Sequence, residues 1–297
     1  MKNQHQPEEF PRIGHWIMAT RPRTLPAATA PVIVGSALAY KDMAFSLIVT
    51  IACLALATLL QIGSNYANDL FDYKKGTDKA DRVGPKRAVA AGLITPRQML
   101  MGTIVVLLAA VLIGLYLTYI GGIIFLIIGI FCIIAAVMYT AGPFALAYKG
   151  LGDVAVFIFF GLVAVVGTYY LQVQEITLFA IIAATGVGAL VTNILVVNNT
   201  RDRHTDAKAD KRTLAVRFGH NFCIYQYIFL LVVAYLCALA LMFVNIWAFL
   251  PLLTIPMAIK MVKELQELEG AQLNPTLGKT ANLLFLYSVL LALGLVL

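Results

Sequence analysis

Charge is what this chain lacks. Only 12% of its 297 residues are Asp, Glu, Lys or Arg, and 61% are hydrophobic. A soluble domain is about 25% charged and about 45–50% apolar. Together with a mean hydropathy of +0.86, that shortage excludes an ordinary water-soluble fold. It excludes disorder as well, which needs high charge and low hydrophobicity. Period-two alternation is missing too, so a porin-like barrel is not expected. Of four cysteines, Cys53, Cys132, Cys223 and Cys237, each falls in an apolar run with no CxxC or Cys/His cluster. They are expected to be small buried hydrophobes, neither metal ligands nor disulfides. His204 and His220 have no His or Cys at ligand spacing and are expected to be solvated loop residues. A secretory leader is not expected, because the first twenty-odd residues are polar and interrupted by Pro7, Pro11 and Pro22.

What is present is long apolar runs. At about 20 residues per span, the length suits about eight to ten membrane helices. Nine are read here, near 25–40, 44–67, 98–119, 121–141, 151–171, 176–198, 222–244, 246–263 and 277–297. The expected fold is therefore all-α, a polytopic membrane helical bundle of about nine transmembrane helices, with 1–297 as one domain. Numbering sides from the N-terminus, only Lys41 of the 22 basic residues falls on the far side. The positive-inside rule then places the N-terminus and the charged loops in the cytoplasm and the C-terminus outside. The net charge of +7 is a topology signal on this reading, with no nucleic-acid partner expected.

Two connections are long and charged, 68–97 and 199–221. Span 2 ends with Asn65, Asn68, Asp69 and Asp72, spaced i, i+3, i+4, i+7, which is one helix face. Span 6 ends with Asn198, Asp202 and Asp206, spaced i, i+4, i+8, again one face. Carboxylates crowded on two helix ends need a positive partner. A hard divalent cation such as Mg²⁺, held by carboxylate and amide oxygens and completed by water and phosphate, suits them. Arg82, Lys86, Arg87, Arg201, Lys211 and Arg212 stand beside the stripes, and Lys149 is the lone base after span 4. That is a phosphate-binding pattern. A faint repeat relates 77–81 to 205–210 and 86–90 to 211–215, which suggests two pseudo-repeated four-helix halves that bring both stripes together.

The pattern Asn68-Asp69-x-x-Asp72 with Asp202-x-x-x-Asp206 resembles the UbiA superfamily of intramembrane aromatic prenyltransferases, over nearly the whole chain. Arg21-Pro22-Arg23-Thr24-Leu25-Pro26-Ala27, Tyr139-Thr140-Ala141-Gly142-Pro143-Phe144, Lys149-Gly150-Leu151-Gly152-Asp153 and Asn198-Asn199-x-Arg201-Asp202 are similar to its 1,4-dihydroxy-2-naphthoate polyprenyltransferase branch of menaquinone biosynthesis. Where the superfamily often has a third Asp, this chain has Gly76, and Asp78 follows two residues later.

The resemblance implies a Mg²⁺-dependent transfer from a polyprenyl diphosphate to an aromatic acid. Asn68, Asp72, Asp202 and Asp206 would hold the metal, with Asp69 and Asp78 in support. Arg82, Lys86, Arg87, Arg201, Lys211 and Arg212 would bind diphosphate, and Lys149 would help it leave. Tyr66, Tyr139, Phe144 and Tyr148 are candidates to shelter an allylic cation. Arg21, Arg23, Asn198 and Asn199 are candidates for the acceptor, an arginine taking its carboxylate. The prenyl tail would lie between helices open to membrane lipid. Two other readings start from the same residues: an enzyme acting on 4-hydroxybenzoate, and a cation-coupled secondary transporter. A transporter expects its site near the bilayer midplane, and these carboxylates sit at cytoplasmic helix ends.

Overall fold

The computed structural model describes residues 12–76, 83–142 and 145–297. Among them there is no strand. A short helix α1 (Ile13–Thr20) precedes nine longer segments: α2 (Pro26–Lys41), α3 (Leu47–Lys74), α4 (Pro96–Gly121), α5 (Ile123–Met138), α6 (Gly152–Val173), α7 (Leu178–Lys208), α8 (Leu214–Leu241), α9 (Ile246–Glu267) and α10 (Gly270–Val296). Seven of these, α3, α4 and α6 to α10, are long and apolar enough to cross a membrane. The other two, α2 and α5, have 16 residues each, about 24 Å at 1.5 Å per residue, which is short of the ~30 Å hydrocarbon core. A count of nine full spans is thus larger than length and composition alone support.

Local sequence explains where the helices begin. Ser46 accepts the Val49 amide at 3.4 Å and Thr177 the Ala180 amide at 3.2 Å. Thr95 and Gln98 form a reciprocal capping box ahead of Pro96. Thr213 caps the Val216 amide, and Gly219, at φ +83°, bends α8 after its first turns.

The central helix is α7, much the most buried of the long segments. Small residues let its neighbours close in. A Cβ on Gly161 of α6 would stand 2.6 Å from the Cα of Gly188 on α7, so the two helices touch backbone to backbone. Residues Phe157–Val163 of α6 form a π-helical turn at that crossing. The opposite case is α5. It lies wholly among the described residues, yet it buries no side chain.

Length is what positions the site. With 28 and 31 residues, α3 and α7 run about 42 and 46 Å. Each outreaches the ~30 Å hydrocarbon core by several turns, and those turns carry both acidic stripes.

Candidate active site

The entry segment folds over the end of α3. Arg21 takes the left-handed conformation that ends α1, at φ +52°, and residues 22–24 form a single tight turn. The Asn65 amide donates to the Thr20 carbonyl at 2.9 Å and to the Thr24 hydroxyl at 3.3 Å. Arg21 returns a bond to the Asn65 carbonyl at 3.4 Å.

On α3 the polar stripe divides its work. Asn68 accepts the Thr140 hydroxyl at 2.6 Å. Asp72 accepts the Tyr148 hydroxyl at 3.0 Å and Nη2 of Arg87 at 3.5 Å. Asp69 takes the backbone amides of Ala88 and Val89, at 2.9 and 3.2 Å. Both its oxygens therefore anchor the segment 83–89.

The α7 stripe is divided in the same way. Arg201, buried beside Asp202, binds both carboxylate oxygens at 2.8 and 2.7 Å, Asn198 at 2.9 Å and Asn274 at 3.1 Å. A guanidinium has five N–H donors, and four of these are spent within the protein. Arg201 thus orients Asp202, and it also lines the polar cavity. Asp206 faces Lys211 at 3.4 Å. Its Oδ2 is buried and has no hydrogen-bond partner among the described residues.

Two lysines flank one ring. Lys75 lies 4.1 Å above the centre of Tyr148 and donates to the Thr140 carbonyl at 2.6 Å. Burial pulls its pKa below the ordinary lysine value, against the pull of Asp72. Lys211 lies 5.8 Å from the same ring. Burial opposes its charge too, but Asp206, Asp72 and Asp202 more than offset that and hold its pKa above the usual value.

Two cavities meet among these groups. One, of about 380 Å³, is the more polar and is lined by Lys86, Arg87, Asp202 and Asp206 among others. The second, of about 390 Å³, is mostly apolar and runs down between the helices past Tyr139, Phe159 and Phe160. Arg21, Thr24, Asp72, Arg87, Asn198, Lys211 and Leu277 line both. Arg23 borders the polar one and Asn68 and Asn199 the apolar one.

Other expected residues are not brought here. Lys149 is exposed, outside the lining of either cavity, and its carbonyl holds Arg217. Gly150, at φ +75°, turns the chain there. The lysines that line the polar cavity are Lys86, Lys208 and Lys211, while Lys75 reaches Tyr148 and the Thr140 carbonyl from outside it. Arg212 is also exposed and pairs with Asp210 at 3.1 Å. Tyr66 packs on Trp16 at 5.4 Å and is walled off from both cavities. Asp78, Arg82 and Phe144 lie outside the described residues. His204 is exposed as expected, whereas His220 sits on α8 with a buried Nε2. Sequence reasoning missed Lys75, Thr140 and Asn274. Lys75 looked like one more topology charge, and the other two carry no charge to draw attention.

Among the described residues no three His, Cys, Asp or Glu side chains form a ready metal cage. Mg²⁺ keeps several waters and binds through a few carboxylate oxygens together with substrate phosphates. Asp72, Asp202 and Asp206 supply hard oxygens around one cavity, and the buried, unpartnered Oδ2 of Asp206 is an atom with unmet need. The donor set fits that ion.

Comparison with known proteins agrees. Residues 28–296 match the UbiA prenyltransferase family. The chain is 38% identical over 296 residues to the 1,4-dihydroxy-2-naphthoate octaprenyltransferase of Haemophilus influenzae, covering 96% of each. It is 39% identical over 280 residues to that of Mycobacterium tuberculosis, covering 94% of this chain and 96% of that one. A solved UbiA homologue from Archaeoglobus fulgidus, bound to GPP and Mg²⁺, shares the fold with a TM-score of 0.58 at 16% identity, over 93% of this chain and 99% of that one.

Proposed function

Because the chain belongs to the UbiA prenyltransferase family, we propose that it transfers a polyprenyl group from a polyprenyl diphosphate to 1,4-dihydroxy-2-naphthoate, releasing diphosphate and CO₂. The carrying observation is the pair of cavities that share Asp72, Arg87 and Lys211. One is polar and basic enough for a diphosphate, and the other is greasy enough for a polyprenyl tail. The bond to be broken joins those two halves of the donor, so it belongs at the shared rim.

Charge at that rim supports the chemistry. As the allylic C–O bond opens, its electron pair leaves with the diphosphate. Arg87 and Lys211, held in advance by Asp72 and Asp206, face the growing negative charge together with Lys86 at the cavity wall. Mg²⁺, when bound through Asp72, Asp202 and Asp206, supplies Lewis-acid stabilisation of the phosphate oxygens. The emerging cation lies on the apolar side, where the aromatic residues Tyr139, Phe159 and Phe160 line the cavity. The electron-rich ring carbon that carries the carboxylate attacks it. That carboxylate then departs as CO₂, and its electron pair restores the aromatic ring. Arg21 lines both cavities and has the fork geometry to hold the carboxylate before it leaves.

The basic asymmetry of the sequence supports an orientation in the cell membrane with the N-terminus and both acidic loops cytoplasmic and the C-terminus outside. The naphthoate acceptor rests on the relatives, which are 1,4-dihydroxy-2-naphthoate octaprenyltransferases. The test is membranes containing this protein, Mg²⁺, octaprenyl diphosphate and naphthoate labelled with ¹⁴C in the carboxyl group. One labelled CO₂ released per prenyl group joined is the expected outcome. Label retained in the product, or turnover of 4-hydroxybenzoate with none of the naphthoate, overturns the acceptor while leaving the family intact.

A further inference from the structure

The segment 83–89 brings Lys86 and Arg87 to the polar cavity, and it is pinned at two points. At one end the Asp69 carboxylate accepts the amides of Ala88 and Val89, at 2.9 and 3.2 Å. At the other, the carbonyl of Val83 accepts Nδ2 of Asn274, at 3.2 Å across 191 residues of sequence. The same Asn274 side chain uses its Oδ1 to accept Nη1 of Arg201, at 3.1 Å. Arg201 in turn grips both oxygens of Asp202, at 2.8 and 2.7 Å.

We infer that Asn274, near the start of α10, is a positioning residue that sets the Lys86–Arg87 segment against the Asp202 carboxylate. The inference rests on the reading above, in which both line the diphosphate pocket. One primary amide holds the two sides of that pocket in register. Its oxygen is fixed by the α7 side, through Arg201, and its nitrogen by the α3 side, through Val83. Both links are made by a group that does not ionise and that itself borders the polar cavity. The donor's diphosphate must fit between Arg87 and Asp202, and neither Asn274 nor its partners Val83 and Arg201 line the apolar cavity. A slip in register therefore weakens donor binding before anything else.

The carboxamide can be dissected chemically. Asn274→Asp keeps an acceptor for Arg201 and removes the donor to Val83. Asn274→Leu removes both. Asn274→Gln keeps both on a longer stem. Two readouts apply to the purified full chain in detergent micelles. The first needs no substrate: the rate of tryptic cleavage after Arg87, located by mass, since the Arg87 side chain is only 10% exposed. The second is KM for octaprenyl diphosphate beside KM for the naphthoate.

The Asp and Leu variants should speed cleavage after Arg87 and raise the donor KM about tenfold, the equivalent of roughly one hydrogen bond. The acceptor KM should stay put, and Gln should recover part of the loss. Unchanged cleavage and donor KM in both variants would overturn the proposal. So would cleavage rising throughout the chain with a lowered melting temperature, which marks a merely structural residue. If the naphthoate is not turned over at all, the acceptor assignment fails, and the cleavage rates still decide the role of Asn274.

Discussion

Tyr148 donates its hydroxyl to Asp72 at 3.0 Å across 76 residues of sequence. The same ring lies under Lys75 at 4.1 Å and within 5.8 Å of Lys211. One side chain thus fixes a carboxylate with its edge and two ammonium groups with its face.

Tyr148→Phe separates those two jobs. The ring keeps both lysines, and Asp72 loses a hydrogen bond worth about 1.5–3 kcal/mol because it is made to a charged group. Turnover should fall about tenfold or more, and the melting temperature should drop by a few degrees with it. Tyr148→Leu, which removes the face as well, should lower activity further. Steady-state rates on the two variants check the ordering.

Asp69 and Asp72 stand three residues apart, and their replacement should have opposite signatures. Asp69→Ala strands two buried amides, at about 1–3 kcal/mol each, so its melting temperature should drop by several degrees. Asp72→Asn should melt like the parent and lose essentially all turnover. Thermal unfolding followed beside activity distinguishes the two. A normal melting curve for Asp69→Ala would remove its anchoring role.

Metal removal should stop the reaction. Chelation of divalent cations is expected to abolish turnover, and added Mg²⁺ to restore it. With Asp206→Asn, the unpartnered oxygen is no longer anionic, so restoration should need a higher Mg²⁺ concentration. A Mg²⁺ titration of rate for parent and variant measures this.

Gly114 and Gly129 both line the apolar cavity, and a Cβ on either meets open space. Gly129→Phe on the unburied helix α5 should fill part of that space without disturbing a packed core. Transfer from octaprenyl diphosphate should drop sharply, and transfer from geranyl diphosphate should survive. The ratio of kcat/KM for the two donors is the measurement.

The fold was legible because its signal is coarse. Apolar runs of membrane length need no partner information, and every one of the nine expected runs is a helix in the structure. The full span count was less legible, because α2 and α5 stop at 16 residues and Pro and Gly boundaries do not report depth. At the site, spacing identified both acidic stripes, since i, i+4 registers survive folding. Spacing did not reveal that Asp69 turns to the amides of Ala88 and Val89, or that Arg201 folds back on its neighbour Asp202. Those outcomes depend on which segment arrives from elsewhere in the chain. The same holds for Lys149 and Lys75. Both are exposed lysines beside a helix end, and only the fold shows that Lys75 packs on Tyr148 and donates to the Thr140 carbonyl.

The backbone contact between Gly161 and Gly188 has a mechanical consequence. No side chain cushions that crossing, so α6 and α7 cannot approach further, and any residue larger than glycine wedges them apart. The apolar cavity is therefore bounded on that side by a stiff wall. The cavity is also lined by α5, none of whose side chains is buried, and a wall so loosely packed is the one free to yield. A long, variable tail can be accommodated by yielding on the α5 side alone. The reacting end, braced against the stiff side, keeps its geometry whatever the length of the chain behind it.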